Sequence, residues 1–447
     1  MTFAQVGILG CALLLALLMS SMPVAFAMMA AGFIGFAVLR NPTAAMSLLT
    51  NDLYDKFQDH NLTVIPLFVL MGQVAFHSGI SRRLFNTAYT WMGALRGGLA
   101  MATIGACTGF GAICGSGPAT AATIAAVALP ELKRYKYSME LGAGAVAAGG
   151  SLGMLIPPSV VFIVYGIMTE QSVGSLFLAG IMPGLMIAGL FCLTIYLSCL
   201  RKPSLGPAGP STTMVEKLRS LTGVIETLLL FVLVMGGMFL GLFTPTEAAA
   251  VGAFGSILIA VVKRQLSWSG LLRSLQETVR TSCMVMIIVA GATTFGRFLG
   301  ATGVPNDLAV WLAQLPLPGT VIIGLIILFY LVAGCFVDAL ALVLLTIPIF
   351  QPVVTGLGFD LVWFGVIIVV VTQMGVITPP VGVCAYIVSG IARDISLQTV
   401  FKGAMPFLAA LIVASVILVA FPKISLWLPD LMAQIQSARA IGAGGAP

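Results

Sequence analysis

Residues 109–132 read GFGAICGSGPATAATIAAVALPEL. Two apolar arms flank Gly115-Ser116-Gly117-Pro118. A helix crossing a bilayer would break there, whereas a hairpin that enters and leaves on one side would turn there. Non-helical backbone is tolerated at membrane depth only where protein or a water-filled cavity satisfies it. The free carbonyl and N–H groups of such a tip suit a cation or an anionic group, and Ser116 and Thr120 add hydroxyls. A second stretch of this kind is GCFVDALALVLLTIPIFQP, residues 334–352. At an offset of 222, Asp338 stands where the first stretch has Ser116. A charge at membrane depth costs from about 2.5 kcal/mol upward. An ion or a proton is the usual compensation; a half-helix cap or a position at an aqueous mouth is the plainer alternative.

Two further segments break the pattern of a spanning helix. They are GGSLGMLIPPSV (149–160) and TQMGVITPPVG (372–382). Pro-Pro removes two backbone donors and disfavours helix just before it. The preceding Gly153 and Gly375 permit an unwound turn. Two discontinuous helices are expected. Half-helix N-termini attract anions, and unwound carbonyls bind cations.

Working outward, the bilayer must be the solvent for this chain. Its 447 residues are 59% hydrophobic and only 8% charged, against roughly 25% charged in soluble domains. Apolar windows recur at Val6–Met22, Val24–Arg40, Leu62–His77, Ser175–Leu197, Ile225–Leu242, Ala248–Val262, Ser282–Leu299 and Phe401–Phe421. The first lacks a basic n-region and reads as a span rather than a signal peptide. The eight cysteines form no CxxC pair and read as small hydrophobes. The net charge of +6 reflects loops, not nucleic acid.

Those loops set a sidedness. Sixteen Lys and Arg residues, including Arg82-Arg83, Arg96, Lys133-Arg134, Arg201-Lys202, Lys263-Arg264, Arg393 and Lys402, fall in one set of connections; Arg40, Lys56, Arg297, Lys423 and Arg439 fall in the other. The positive-inside rule places the first set in the cytoplasm. The resulting topology has ten full crossings, both termini outside, and two segments that enter and leave on one side. Hairpin 1 then enters from the cytoplasm and hairpin 2 from the periplasm.

The two halves also match each other. Pro23 pairs with Pro245, Gly79 with Gly303, Gly153 with Gly375, and Pro157-Pro158 with Pro379-Pro380; AGIMPGLM (179–186) pairs with KGAMPFLA (402–409). Each half has an odd number of crossings, so the second is inverted relative to the first. Inverted repeats are a recurrent construction of secondary transporters. The fold expected is therefore an all-α integral membrane protein, an inverted-repeat transporter with two re-entrant helical hairpins and two discontinuous helices. The first repeat covers 1–200, with scaffold helices in 1–80, an amphipathic arm helix at 80–95, and hairpin 1 with its broken helix at 98–170. A cytoplasmic linker covers 201–219. The second repeat covers 220–425, with scaffold at 220–300, an arm at 304–315, and hairpin 2 with its broken helix at 320–392. A C-terminal tail covers 426–447. His60 and His77 read as loop or interface residues.

These residues resemble the large membrane subunit of the tripartite ATP-independent periplasmic (TRAP) transporters, often called DctM. The strongest stretches are GFGAICGSGPATAATIAAVALPEL, AAGGSLGMLIPPSVVFIVYGIMTEQSVGSLFLAGIMPG, FVDALALVLLTIPIFQPVV and GVITPPVG, and the likeness spans essentially the whole chain. The resemblance implies a Na⁺-coupled, elevator-type importer of an organic acid, such as a C4-dicarboxylate or sialic acid, in a bacterial inner membrane. It implies two partners: a separate small membrane subunit of about four helices and a periplasmic substrate-binding protein. It further implies at least two Na⁺ sites. One would use Gly115, Ser116, Gly153 and Pro157; the other, Asp338, Gly375, Thr378 and Pro379. Substrate would lie near Ser116, Thr120 and Thr346. This chain departs from the family pattern at Gly117, Gln373 and Cys384.

Three other classes compete with this reading. A stand-alone dicarboxylate carrier would need no binding protein. An intramembrane hydrolase would need a nucleophile and base or a metal set, and no HExxH, GxSxG or paired intramembrane aspartates occur. A passive channel would show a charged ring or repeated filter loop.

Overall fold

A computed structural model describes residues 2–443 apart from Pro210 and Leu315. Among the described residues there are helices and no strands. The first half holds α1 (Phe3–Met19), α2 (Val24–Leu39), α3 (Pro42–Gln58), α4 (Val64–His77), α5 (Ile80–Met92), α6 (Gly98–Cys114), α7 (Gly117–Arg134), α8 (Met139–Ser151), α9 (Val160–Thr169) and α10 (Val173–Arg201). A short helix, α11 (Met214–Leu221), follows. The second half holds α12 (Ile225–Phe239), α13 (Pro245–Val262), α14 (Trp268–Thr302), α15 (Val304–Ala313), α16 (Gly319–Gly334), α17 (Ala339–Gly356), α18 (Leu361–Gly375), α19 (Val383–Ile391) and α20 (Leu397–Ala420). The chain continues into α21 (Lys423–Ala443). Among the described residues, six helical stretches are long and apolar enough to cross a membrane, and seven shorter apolar helices accompany them.

Corresponding helices start at near-constant offsets: Val24 and Pro245, Met139 and Leu361, Val173 and Leu397. The halves differ at one place. In the first, Asp59 accepts from the Asn61 N–H at 2.9 Å and ends α3, and a 3-10 turn (His60–Thr63) leads into α4. The corresponding stretch of the second half has no such break and runs on as the 35-residue α14.

Two groups of helices pack by different rules. In the first, α2 lies on α14 and α13 on α4. Glycines let these helices approach closely, as small residues do at membrane helix contacts. A methyl at Gly32 would sit 3.0 Å from the Phe295 backbone nitrogen, and the Phe298 ring fills the space left by Gly10 and Gly35. One buried charge is held here. Asp52 of α3 is fully buried, 2.5 Å from the Arg297 guanidinium and accepting from the Thr294 hydroxyl at 2.9 Å. In the second group, α6–α7 and α16–α17 form helical hairpins, and α8–α9 and α18–α19 are helices interrupted at the Pro-Pro pairs.

The hairpins enter the bundle from opposite ends. Lys133, at the base of hairpin 1, meets Asp394 beyond α19 at 2.6 Å. Tyr165, near the end of α9, donates to the Leu361 carbonyl at the base of hairpin 2 at 2.6 Å. Because α8 starts beside one base and α9 finishes beside the other, the tips meet in the middle.

Each hairpin is seated on a broken helix at a glycine pair. A methyl at Gly111 would come within 2.8 Å of the Gly153 Cα, and a methyl at Gly375 within 2.4 Å of the Gly334 carbonyl carbon and oxygen. Backbone closes the contact in both halves: Val160 N–H donates to the Gly115 carbonyl, and Val381 N–H to the Cys335 carbonyl, each at 3.3 Å.

The linker at 201–219 is packed. The Gly97 N–H donates to the Gly206 carbonyl at 3.0 Å, and the Tyr137 hydroxyl to the Pro207 carbonyl at 2.7 Å. The tail from 426 is helical to Ala443 and packs on α10; residues 444–447 lie outside the described residues. Its Leu, Ile and Ala content carries the helix through the single Pro429.

A Gly153→Ala substitution places a methyl 2.6 Å from the Thr120 hydroxyl and 2.9 Å from the Ser116 carbonyl. Overpacking of this kind costs about 1–3 kcal/mol. Gly324→Ala meets nothing within 4 Å. Thermal unfolding in detergent should show a clear fall in midpoint for the first and no fall for the second; equal midpoints would refute the seating.

Candidate functional site

The tip of hairpin 1 forms because Gly115 adopts a left-handed conformation (φ 65°) that ends α6, a geometry glycine takes without penalty. Ser116 then caps α7, its hydroxyl accepting from the Ala119 N–H at 3.5 Å. Pro118 follows at a first-turn position where no N–H is required. At the tip of hairpin 2, Asp338 caps α17 and accepts from the Leu340 N–H at 3.1 Å. The residues paired by the 222 offset thus occupy the same structural position. Each is the N-cap of a helix whose positive end points inward.

The two tips share one cavity of about 310 Å³. Ser116 and Asp338 both line it, with the first turns of α7 and α17. Gln73 of α4 and Thr281 of α14 form the facing polar wall, and Met154, Met284 and Val285 the apolar one. Asp338 is exposed by surface area. Among the described residues, no Lys or Arg lines this space.

The other residues expected at the site are placed as follows. Gly115 lines the cavity and abuts the Pro158 carbonyl, 2.3 Å from where a Gly115 methyl would lie. Gly153 lies against the Ser116 carbonyl and the Thr120 hydroxyl. Gly375 is seated on Gly334; the Thr378 hydroxyl donates to the Met374 carbonyl at 2.5 Å; Pro379 is exposed. Pro157 faces away, into a separate apolar cavity beside α12. Neither Thr120 nor Thr346 reaches the central cavity. Thr120 is fully buried and donates to the Ser116 carbonyl at 2.8 Å. Thr346 is buried, donates to the Leu342 carbonyl at 2.8 Å, and contacts the Tyr330 hydroxyl. Both lie a full turn or more inside their helices, so their hydroxyls satisfy local carbonyls instead of facing the cavity.

Gln73 and Thr281 were missed. Gln73 had a legible signal, a lone amide inside the apolar window Leu62–His77. Thr281 had none, because it lies at the margin of its window. The cysteines form no disulfide: Cys107, Cys114, Cys199 and Cys384 are buried and Cys283 is exposed. His77 is not in the cavity; its ring nitrogen lies 3.0 Å from the Gln73 carbonyl and 3.1 Å from the Ser274 hydroxyl.

A protein-family profile described as "Tripartite ATP-independent periplasmic transporter, DctM component" matches residues 11–424. The chain belongs to this family. It is 37% identical over 394 residues to the C4-dicarboxylate TRAP transporter large permease protein DctM of Pseudomonas aeruginosa, covering 88% of this chain and 91% of that one. It is 33% identical over 418 residues to the sialic acid TRAP transporter large permease protein SiaM of Vibrio cholerae, covering 93% and 97%. Among solved structures it is similar in fold to the YdaH transporter of Alcanivorax borkumensis, with a TM-score of 0.63 at 16% identity over 86% of this chain and 90% of that one. This DctM-family chain is therefore a multi-pass membrane transporter component and not an enzyme, which disposes of the intramembrane hydrolase.

The polar wall generates a test. Gln73→Leu and Thr281→Val each remove neutral hydrogen-bonding capacity worth about 1 kcal/mol. In reconstituted uptake, each should raise the KM for the transported solute roughly fivefold while leaving ion dependence unchanged. An unchanged KM in both would remove this cavity from the solute path.

Proposed function

We propose that this chain is the large transmembrane subunit of a tripartite, Na⁺-coupled secondary transporter that imports an organic acid across a bacterial inner membrane. The observation that carries the proposal is the shared cavity. Two helix N-termini and the Asp338 carboxylate converge there without a basic side chain among the described residues. Helix N-termini attract an anionic group. They carry only about half an elementary charge each, and Asp338 opposes the same anion. A cation bound with the substrate resolves that imbalance. Na⁺ supplies positive charge beside Asp338 and leaves with the cargo, which couples the two.

The donor sets fit such an ion, since hard cations take oxygen ligands. Near hairpin 1 the Pro158 carbonyl lies against Gly115 and the Ser116 carbonyl against Gly153, with Ser116 lining the cavity. Near hairpin 2 the set is the Asp338 carboxylate with the backbone of Gly375, the hydroxyl of Thr378 and the turn at Pro379. The substrate carboxylate lies between the caps, near Ser116. Thr120 and Thr346 support the tips from behind. C4-dicarboxylates and sialic acid are the substrates named for the two relatives above, and an organic acid of this kind is the proposed cargo.

In this reading the hairpins are re-entrant, the repeats are inverted, and the hairpins and broken helices move as one body against a scaffold of α1–α4 and α12–α14, joined through arms α5 and α15. An asymmetry supports alternating access. The hairpin 1 tip is packed on α4, where a methyl at Gly72 would lie 2.9 Å from the Cys114 Cα. The hairpin 2 side is open, with Phe336 61% and Val381 39% exposed. A second, symmetry-related arrangement would reverse the two environments. A separate small membrane subunit and a periplasmic binding protein complete the system.

Two measurements test this. Asp338→Asn should lower Na⁺-driven uptake by about 100-fold, the equivalent of roughly 2.7 kcal/mol, and flatten its dependence on Na⁺; retained rate and dependence would remove Asp338 from the ion site. In proteoliposomes, full-rate uptake should need the small subunit and binding protein together. Full-rate uptake by this chain alone would favour the stand-alone carrier.

A further inference from the structure

The segment from Leu205 to Ser220 runs antiparallel along α5 and the turn that follows it. Going forward through this segment, its bonds fall on steadily earlier residues of the chain. The Gly97 N–H donates to the Gly206 carbonyl at 3.0 Å, and the Gly209 N–H to the Gly93 carbonyl at 2.9 Å. The Thr212 hydroxyl donates to the Thr90 carbonyl at 2.6 Å, and the Thr87 hydroxyl to the Ser220 carbonyl at 2.9 Å. The same segment is tied to the base of hairpin 1. The Ser138 N–H donates to the Leu205 carbonyl at 3.0 Å. The Tyr137 hydroxyl donates to the Pro207 carbonyl at 2.7 Å and accepts from the Leu99 N–H of α6 at 3.2 Å.

The two ends of α5 are built differently. At its far end, the turn into α6 contains Gly97 in a left-handed conformation (φ 77°). That turn is closed: the linker holds it at the Gly93 carbonyl and the Gly97 N–H, and a methyl at Gly97 would lie 2.8 Å from Ile195 and 2.9 Å from Cys199 of α10. Packing agrees, since Leu84 and Ala88 of α5 lie 3.2 and 3.5 Å from where methyls at Gly109 and Gly105 of α6 would be. At its near end, α4 stops at His77, whose ring nitrogen lies 3.1 Å from the Ser274 hydroxyl of α14. Between that scaffold contact and α5 stands Gly79, left-handed (φ 71°) with nothing within 4 Å of where its methyl would be. An unpacked glycine absorbs a change of backbone angle without steric penalty. The second repeat is built alike: Gly303 (φ 75°) is equally open and precedes α15, which lies along α17 of hairpin 2.

We propose that the linker straps α5 to hairpin 1, so that the arm travels with the hairpin and the first repeat flexes at Gly79. This rests on the moving-body reading above and states where that body ends. An arm between two glycine turns has two places to bend. The strap closes the turn at Gly93–Gly97 and leaves the one at Gly79. Beyond α11 the chain enters α12 through Gly223 and Val224, which must give as well.

The test places pairs of spin labels on the full chain in nanodiscs, with its eight cysteines replaced by alanine. The sites are Asn86→Cys on α5, Arg134→Cys at the end of α7 and Trp268→Cys at the start of α14, all exposed positions. Distances are measured in K⁺, in Na⁺, and in Na⁺ with succinate. The 86–134 distance should stay within its own distribution width in every condition, while 86–268 shifts together with 134–268. A shift in 86–134 with 86–268 fixed would assign the arm to the scaffold and overturn the proposal, leaving the moving body intact. A 134–268 distance that is single and fixed throughout would overturn both. Tyr137→Phe combined with Thr212→Val removes hydroxyls that hold the linker and should broaden the 86–134 distribution; a width equal to the parent's removes the strap. If that variant does not fold, the three parent distances decide.

Discussion

The structure depends on backbone meeting backbone at two glycine pairs. Gly111 against Gly153 and Gly334 against Gly375 bring each hairpin onto a broken helix at a distance no side chain allows. That contact places the Val160 N–H on the Gly115 carbonyl and the Val381 N–H on the Cys335 carbonyl. Unwound backbone is costly inside an apolar environment unless its groups are paired. The tip and the break therefore satisfy each other. The cavity follows, because two such assemblies entering from opposite ends leave their N-caps facing across a gap.

Pseudo-symmetry accounts for the frame, and departures from it account for the chemistry. Ser116 and Asp338 hold the same cap position, yet one is neutral and the other anionic. Two helix N-termini and one carboxylate make an environment in which an anion and a cation are each better accommodated together than alone. Gln73 of α4 and Thr281 of α14 add neutral polar groups to the same cavity.

The scaffold is symmetric in packing but not in construction. The break at Asp59 divides α3 from α4, whereas α14 is continuous. Arg297 of α14 then reaches the buried Asp52 of α3. A buried carboxylate with a guanidinium and a hydroxyl on it keeps α3 in register where helix continuity no longer does. The hairpin 1 tip is packed on α4 and the hairpin 2 tip is open, so the two repeats are caught in different environments within one chain.

Much of this was legible in the sequence, for physical reasons. Gly-Ser-Gly-Pro and paired prolines inside apolar runs cannot continue a spanning helix, so the hairpin turn at Gly115-Ser116 and the breaks at Pro157-Pro158 and Pro379-Pro380 were readable directly. The repeat alone pairs Ser116 with Asp338. The sequence could not tell that Thr120 and Thr346 point into their own helices, because a hydroxyl's direction depends on the turn it occupies. Nor could it bring Gln73 and Thr281, more than 200 positions apart, to one wall. Local breaks in helix-forming sequence are determined by the residues themselves; which polar groups then face each other is decided only by how the helices pack.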